Sequence, residues 1–197
     1  KILSHSNHVL LAGKGAQEFA SIHKIAEAPD DYFHDELRYK QWQKIKGSDA
    51  FQLDHSEDNK PYLGTVGAVA LDHNGNLAAG TSTGGMTNKR YGRVGDSPMI
   101  GAGNYANNKT CAISCTGSGE FFIKGVVAYD VSCLMEYKGM SLADAASEVI
   151  QKRILEIGGD GGLIAVDAKG NITMPFNTEG MYRASKTSEG KEVISIY

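Results

Sequence analysis

The sequence predicts an α+β fold in which antiparallel sheet stacks against helix, and three stretches predict it. "TVGAVALD", the turn "HNGN" and the return run "LAAGTST" (65–83) read as a β-hairpin with Asn-Gly at its centre. The same device recurs in "LIAVDAKGNITMPF" (163–176), with "AKGN" as the turn. Between them lie two stretches of helical length and period, 119–139 and 141–159. Strands before and after a helical pair favour stacked layers of helix and sheet.

Taken in order, "HVLLAG" (8–13) reads as a short buried strand. "GKGAQEFASIHKIAE" then sets Ala16, Phe19, Ala20 and Ile25 near helical spacing, and residues 30–46 read as a polar helix carrying Phe33, Leu37 and Trp42. Residues 47–64 have no sustained period and are rich in charge, Ser, Asn and Pro, the mark of an exposed linker. His55 within it reads as a solvated linker histidine. "TVGAVALD" is apolar on both alternating faces, as a strand covered on both sides would be. Residues 119–139 read as one helix with Phe122, Val126, Tyr129 and Cys133 along a face. The next opens with Ser141 and Asp144 at capping-box spacing and stops at Gly158-Gly159.

Composition narrows the function classes. A chain of 197 residues with 41% hydrophobic and 22% charged residues is ordinary for a globular protein of one domain or two small ones. The net charge of −3, without a Lys/Arg run or aromatic–basic interleaving, argues against nucleic acid and anionic membrane. The apolar runs are too short to span a bilayer. Cys111, Cys115 and Cys133 cannot all pair internally, and the first two fall on one side of a strand. They read as buried thiols of a reducing compartment, so the expected location is cytoplasmic. No signal peptide is visible, although the chain starts with Lys1 and leaves upstream sequence open. Neither the cysteines nor the six histidines show metal-ligand spacing. "GAGNYA" mimics a dinucleotide fingerprint, but the sequence after it runs into a strand rather than opening a helix.

The polar residues of interest sit at strand ends and in glycine-rich turns. Thr65 begins one strand and Thr83 ends its return partner, so hairpin geometry lets them share a rim. Arg93 and Asp96 lie in "GRVGDSP", and Thr116 and Gly117 in "CTGSGE", where an apolar strand meets a helix. Singly these signals are weak: a strand threonine is usually a good β former, and a glycine-rich turn is usually a turn.

Together they carry more. "GTVGAVALD", "TSTGG", "GRVGDSP", "GAGNYANN", "SCTGSGE" and "MPFNTEGMYRA" stand in the order and context of plant-type L-asparaginases, also called isoaspartyl peptidases. The chain resembles that family of threonine N-terminal nucleophile hydrolases from about residue 8 to 185, densely after Gly64. Glycosylasparaginases resemble the pattern less, typically with Asn in place of Gly84 or Gly85 and Asp in place of Glu120. Threonine aspartase lacks the acidic residue matched by Asp96.

The resemblance implies a precursor that cuts itself between Gly64 and Thr65, in a four-layer αββα sandwich. Residues 1–64 would be the C-terminal part of the α-subunit and 65–197 the β-subunit. The family's Gly-rich first strand and sodium-binding loop have no counterpart in these residues, so the sandwich is expected to be incomplete at its N-terminus. Thr65 would be nucleophile and base, Thr83 would tune it, and Thr116 with the Gly117 N–H would hold the oxyanion. Arg93 would clamp a substrate α-carboxylate, Asp96 the α-ammonium, and Gly119 would leave room for that ammonium. The implied activity is hydrolysis of L-asparagine and β-aspartyl dipeptides to L-aspartate, without a cofactor, by a dimer of αβ units. A glycosylasparaginase-like activity, or an inactive uncut or truncated relative, stays open as an alternative.

Overall fold

The computed structural model describes residues 1–48 and 64–197. Most of the expected linker, His55 included, lies outside the described residues. The chain divides into two compact units, Lys1–Lys46 and Gly47–Tyr197.

The first unit is helical: α1 (Ile2–His5), α2 (Gly13–Ile22), a 3₁₀ turn (Asp30–Phe33) and α3 (Glu36–Ile45). The helix expected after residue 13 is there, but the strand expected at 8–13 is not. Val9 and Leu10 are 68% and 52% exposed. A strand's backbone groups need a neighbour to pair with, and no described residue pairs with these. The helix expected over 30–46 is split, because Asp35 Oδ1 accepts the Arg38 N–H at 2.8 Å and starts a new helix as its N-cap. Phe33 therefore belongs to the 3₁₀ turn. None of these helices buries a residue.

The second unit is layered. β1 (Val66–Leu71) and β2 (Leu77–Ser82) form an antiparallel pair, with Leu71 opposite Leu77 and Val66 opposite Ser82. The carboxylate of Asp72 fixes the turn by accepting the Asn74 and Asn76 N–H groups, each at 2.8 Å. β3 (Asn104–Ala106), β4 (Cys111–Gly117), β5 (Gly161–Asp167) and β6 (Ile172–Thr173) form an antiparallel sheet in that order. Asp167 repeats the device of Asp72 at the β5–β6 turn, accepting from Lys169 and Asn171 at 2.8 and 2.9 Å. A last hairpin, β7 (Arg183–Lys186) with β8 (Glu192–Ser195), was not expected from the sequence.

The helices are α4 (Gly119–Gly125), α5 (Val127–Lys138), α6 (Leu142–Glu148), a π-helical turn (Val149–Arg153) and α7 (Ile154–Glu156). The single helix expected over 119–139 breaks at Val126, whose φ is +46°. The Tyr129 N–H donates to the Gly101 carbonyl at 2.8 Å as well as to the Val126 carbonyl at 3.1 Å, so a neighbouring loop anchors the first turn of α5. The break re-aims the face. Phe122 and Val131 are buried, while Val126 and Tyr129 are 45% and 40% exposed. Ser141 Oγ accepts the Asp144 N–H at 3.1 Å, as the capping box predicts. Gly158, at φ +82°, ends the rod.

Strand β4 is the centre of the unit. Its residues 111–115 are all buried. Cys111, Ile113 and Cys115 face a core completed by Phe122, Val131, Leu142 and Ile150. Ala112 faces a second, smaller core with Leu77 and Val166, against which Val69, Leu71 and Ala79 pack. The layers run helix, four-stranded sheet, two-stranded sheet. The strand covered on both sides is thus β4, not β1. In β1 exposed and half-buried residues alternate, and Val66 is 68% exposed, because within the second unit only one face of the β1–β2 pair packs on β4 and β5. All three cysteines are free, and Cys111 and Cys115 share a buried side as their spacing predicts.

Candidate active site

Register sets the first two residues. Because Val66 opposes Ser82, the next positions outward, Thr65 and Thr83, reach the same rim of the β1–β2 sheet. One cleft is lined by Gly64, Thr65, Thr83, Arg93, Asp96, Thr116 and Gly117. The structure thus brings together six of the seven expected site residues in one cleft wall, with the expected scissile bond among them. The seventh, Gly119, opens α4 beside it.

Each side chain is held by local chemistry. The Gly85 N–H donates to Thr83 Oγ1 at 3.1 Å, which leaves the Thr83 hydroxyl proton free to be given elsewhere. Asp96 and Ser97 are 6% and 5% exposed. Their backbone lies flat on Gly103, where any Cβ would overlap the Asp96 carbonyl. The Met99 N–H donates to the Asp96 carbonyl at 2.8 Å, and Asn104 Nδ2 donates to that of Ser97 at 2.7 Å. Gly117 has φ +146° and faces Gly161 across the β4–β5 ladder. A Cβ on Gly117 would overlap the Asp160 carbonyl and come within 2.8 Å of Phe122, so only glycine presents its N–H from this position.

The charged end of the cleft is built around two side chains. Asp96 Oδ2 is buried and accepts no hydrogen bond among the described residues. Burial pushes the Asp96 carboxyl above its ordinary value, while the nearby Arg93 pulls it back in part. Arg93 itself donates Nε to Glu120 Oε1 and Nη2 to Oε2, both at 2.7 Å. That fork holds the Glu120 carboxyl below the usual range. A Cβ built on Gly119 would stand 2.7 Å from Asp96 Oδ1 and 3.0 Å from Arg93 Nη2. The space over Gly119 is therefore within hydrogen-bond reach of a cation and an anion at once.

Sequence reasoning assigned no role to Glu120, Asp160 or Gly161. The signal for Glu120 was present as an acid in the first turn of a helix. Nothing local marks Asp160 and Gly161, which reach the site only through the β4–β5 pairing. A second cavity of about 520 Å³ shares Gly64, Thr65, Thr116 and Gly117 with the cleft and runs past Ser118 and Asp160 to Tyr182 and Tyr197. Thr65 stands between the two openings. Among the described residues no three His, Cys, Asp or Glu side chains group as a metal site, and no helix is long and apolar enough to cross a membrane.

Comparison with known proteins finds relatives along most of the chain. Over 186 residues the chain is 53% identical to the isoaspartyl peptidase of Escherichia coli (strain K12), covering 93% of this chain and 58% of that protein. It is also 53% identical over 186 residues to the isoaspartyl peptidase of Salmonella typhimurium, covering 93% and 59%. The isoaspartyl peptidase/L-asparaginase of Xenopus laevis is 39% identical over 185 residues, covering 91% and 57%. The chain spans about three-fifths of the length of the curated relatives it matches. With residues 1–196 matched by the family model described as Asparaginase, the chain belongs to the asparaginase family, on the branch of the isoaspartyl peptidases and L-asparaginases.

Proposed function

We propose that the protein is a self-processing amidohydrolase that releases L-aspartate from L-asparagine and from β-aspartyl dipeptides. One observation carries the reading: the Arg93 guanidinium and the buried Asp96 carboxyl line one cleft with the Gly64–Thr65 bond. A free amino-acid head group carries the α-ammonium and α-carboxylate that such a pair binds.

The chemistry follows from cutting before Thr65. In the uncut chain its nitrogen is an amide and cannot act as a base. Once freed, it is an α-amine with an ordinary pKa of about 7.7–8.0. It can then take the proton of its own hydroxyl, which uncut Thr65 cannot offer. The hydroxyl attacks the side-chain carbonyl of the substrate. The resulting oxyanion is held by the Gly117 N–H and the Thr116 hydroxyl, and Thr83 donates its free proton toward the Thr65 oxygen or nitrogen. The protonated α-amine gives its proton to the leaving ammonia or amine. Water then hydrolyses the aspartyl ester and frees Thr65. No cofactor enters the cycle.

The same reading assigns residues 1–64 to the α-subunit and 65–197 to the β-subunit of a four-layer αββα sandwich. Its working form is a dimer of αβ units in the cytoplasm. The exposed outer face of β1–β2 supports a further layer in the whole protein.

The test is a denaturing gel with N-terminal sequencing, run beside turnover of L-asparagine and β-Asp-Leu. Two pieces, the second beginning at Thr65, with aspartate released, are expected; Thr65→Ala should give one piece and no turnover. Turnover by protein intact between 64 and 65 overturns the reading. Hydrolysis of glycosylated Asn without any of β-Asp-Leu would move the activity to the glycosylasparaginase type.

A further inference from the structure

Glu120 has no part in the chemistry above, yet it accepts two hydrogen bonds from Arg93, a residue of the cleft. We propose that Glu120 is a positioning residue that keeps the head-group site open by holding Arg93 away from Asp96. The inference rests on the function proposed above and adds a cause for the geometry that function needs.

A guanidinium has five donors arranged on two usable edges. Glu120 takes the side edge, Nε and Nη2, at 2.7 Å for each bond. Nη1 and the second Nη2 hydrogen stay available for a ligand. The walls do not hold the group in that direction. Gly95 lies under it, where a Cβ would be 2.8 Å from Nη1, and Gly119 lies beside it. Two glycines leave space for the guanidinium to turn. Among the described residues its side chain has no hydrogen-bond partner but Glu120.

The competing position is close and attractive. Asp96 Oδ1 and Arg93 Nη2 both lie within 3.0 Å of the same point over Gly119. Asp96 is buried, and its other oxygen, Oδ2, has no hydrogen-bond partner among the described residues, so the carboxyl is a group for which a guanidinium is the natural partner. If Arg93 closed onto Asp96, the two groups that must hold the substrate would satisfy each other, and the site would be filled. Glu120 prevents this from the outer, half-exposed side, at 49% side-chain exposure. With Arg93 engaged by Glu120, the Asp96 carboxyl is left for an ammonium, and the free guanidinium edge still meets a carboxylate.

The closed state makes predictions that simple loss of a clamp does not. Glu120→Gln should raise KM for L-asparagine, and Kd for L-aspartate by calorimetry, by about tenfold or more, with kcat nearly unchanged and self-cleavage complete. β-Alaninamide, which keeps the amine but lacks the carboxylate, separates the two cases. Its binding should weaken in Glu120→Gln, because Asp96 is now occupied, but not in Arg93→Ala. The double variant Glu120→Gln/Arg93→Ala should bind β-alaninamide as well as Arg93→Ala alone, a full non-additivity. Glu120→Asp, which keeps the charge, should restore most of the KM.

The inference is overturned if Glu120→Gln leaves KM and Kd within about twofold of the parent, or if β-alaninamide binding is untouched. It is also overturned if kcat, cleavage and melting temperature all fall with KM, since that marks a merely structural pair. A parent that turns over neither L-asparagine nor β-Asp-Leu refutes the proposed function instead, and the L-aspartate titration still decides the role of Glu120.

Discussion

Asp96 shows how a single residue gives up stability to hold a charge. Its carboxyl is buried, and burial is the largest influence raising it above the ordinary value of 3.8. A carboxyl raised in the folded state contributes stability below its unfolded value and loses it as pH rises through the folded one. At neutral pH the empty protein therefore carries Asp96 as a cost. Asp96→Asn should raise the melting temperature at pH 7, by about 2–4 °C for each 1 kcal/mol regained, while abolishing capture of L-aspartate. The gap between variant and parent should close as the pH is lowered through the raised value. Thermal melts across pH check this, and a variant less stable than the parent at pH 7 would contradict it. Arg93 behaves differently, because its partner is half-exposed and its net worth to folding is small. Arg93→Ala should raise KM for L-asparagine by about 10²-fold and leave Gly64–Thr65 cleavage intact, read from a gel beside steady-state kinetics.

At the scale of elements, the placement of Thr65 depends on how closely β1 approaches β4. Gly67 permits that approach. A Cβ there would overlap Ser114 Oγ, which is 3% exposed and bonded to Thr81 Oγ1 at 2.6 Å. Thr81 also donates to the Gly103 carbonyl at 3.1 Å, so one hydroxyl pair ties both sheets to the loop that carries Asp96. Gly67→Ala should destabilise the protein by about 1–3 kcal/mol through overpacking. It should also slow self-cleavage two residues away; denaturant titration and a cleavage time course measure the two effects. The sequence showed the hairpin and its Asn-Gly turn, because both are set within twenty residues. It did not show that Gly67 faces a serine from a strand 47 positions later. The same limit explains the split of the helix expected over 119–139. Its period was legible, but the Gly101 carbonyl that receives the Tyr129 N–H is not local.

At the scale of the whole molecule, the position of Thr65 between two openings bears on substrate choice. In the proposed function the head group occupies the charged cleft. A leaving amino acid must then extend into the cavity of about 520 Å³, which ammonia would leave unfilled. Tyr182 lines that cavity and touches none of the charged end. Tyr182→Ala should lower kcat/KM for β-Asp-Leu by about tenfold and leave L-asparagine within about twofold. Equal loss on both substrates would place the leaving group elsewhere. The sequence named the residues that the fold gathers in the cleft, Thr65, Thr83, Arg93, Asp96, Thr116 and Gly117, because they sit in short motifs whose order is itself a signal. The sequence by itself determined which residue types stand at the strand ends, where the turns fall and that the fold layers helix on antiparallel sheet, since these depend on spacing along the chain. Only the tertiary structure decided that β4 rather than β1 is buried on both sides, that Gly161 faces Gly117, and that Arg93 turns to Glu120 rather than Asp96. Those outcomes depend on which surfaces meet across long separations, where burial and desolvation choose among partners that local pattern leaves equal.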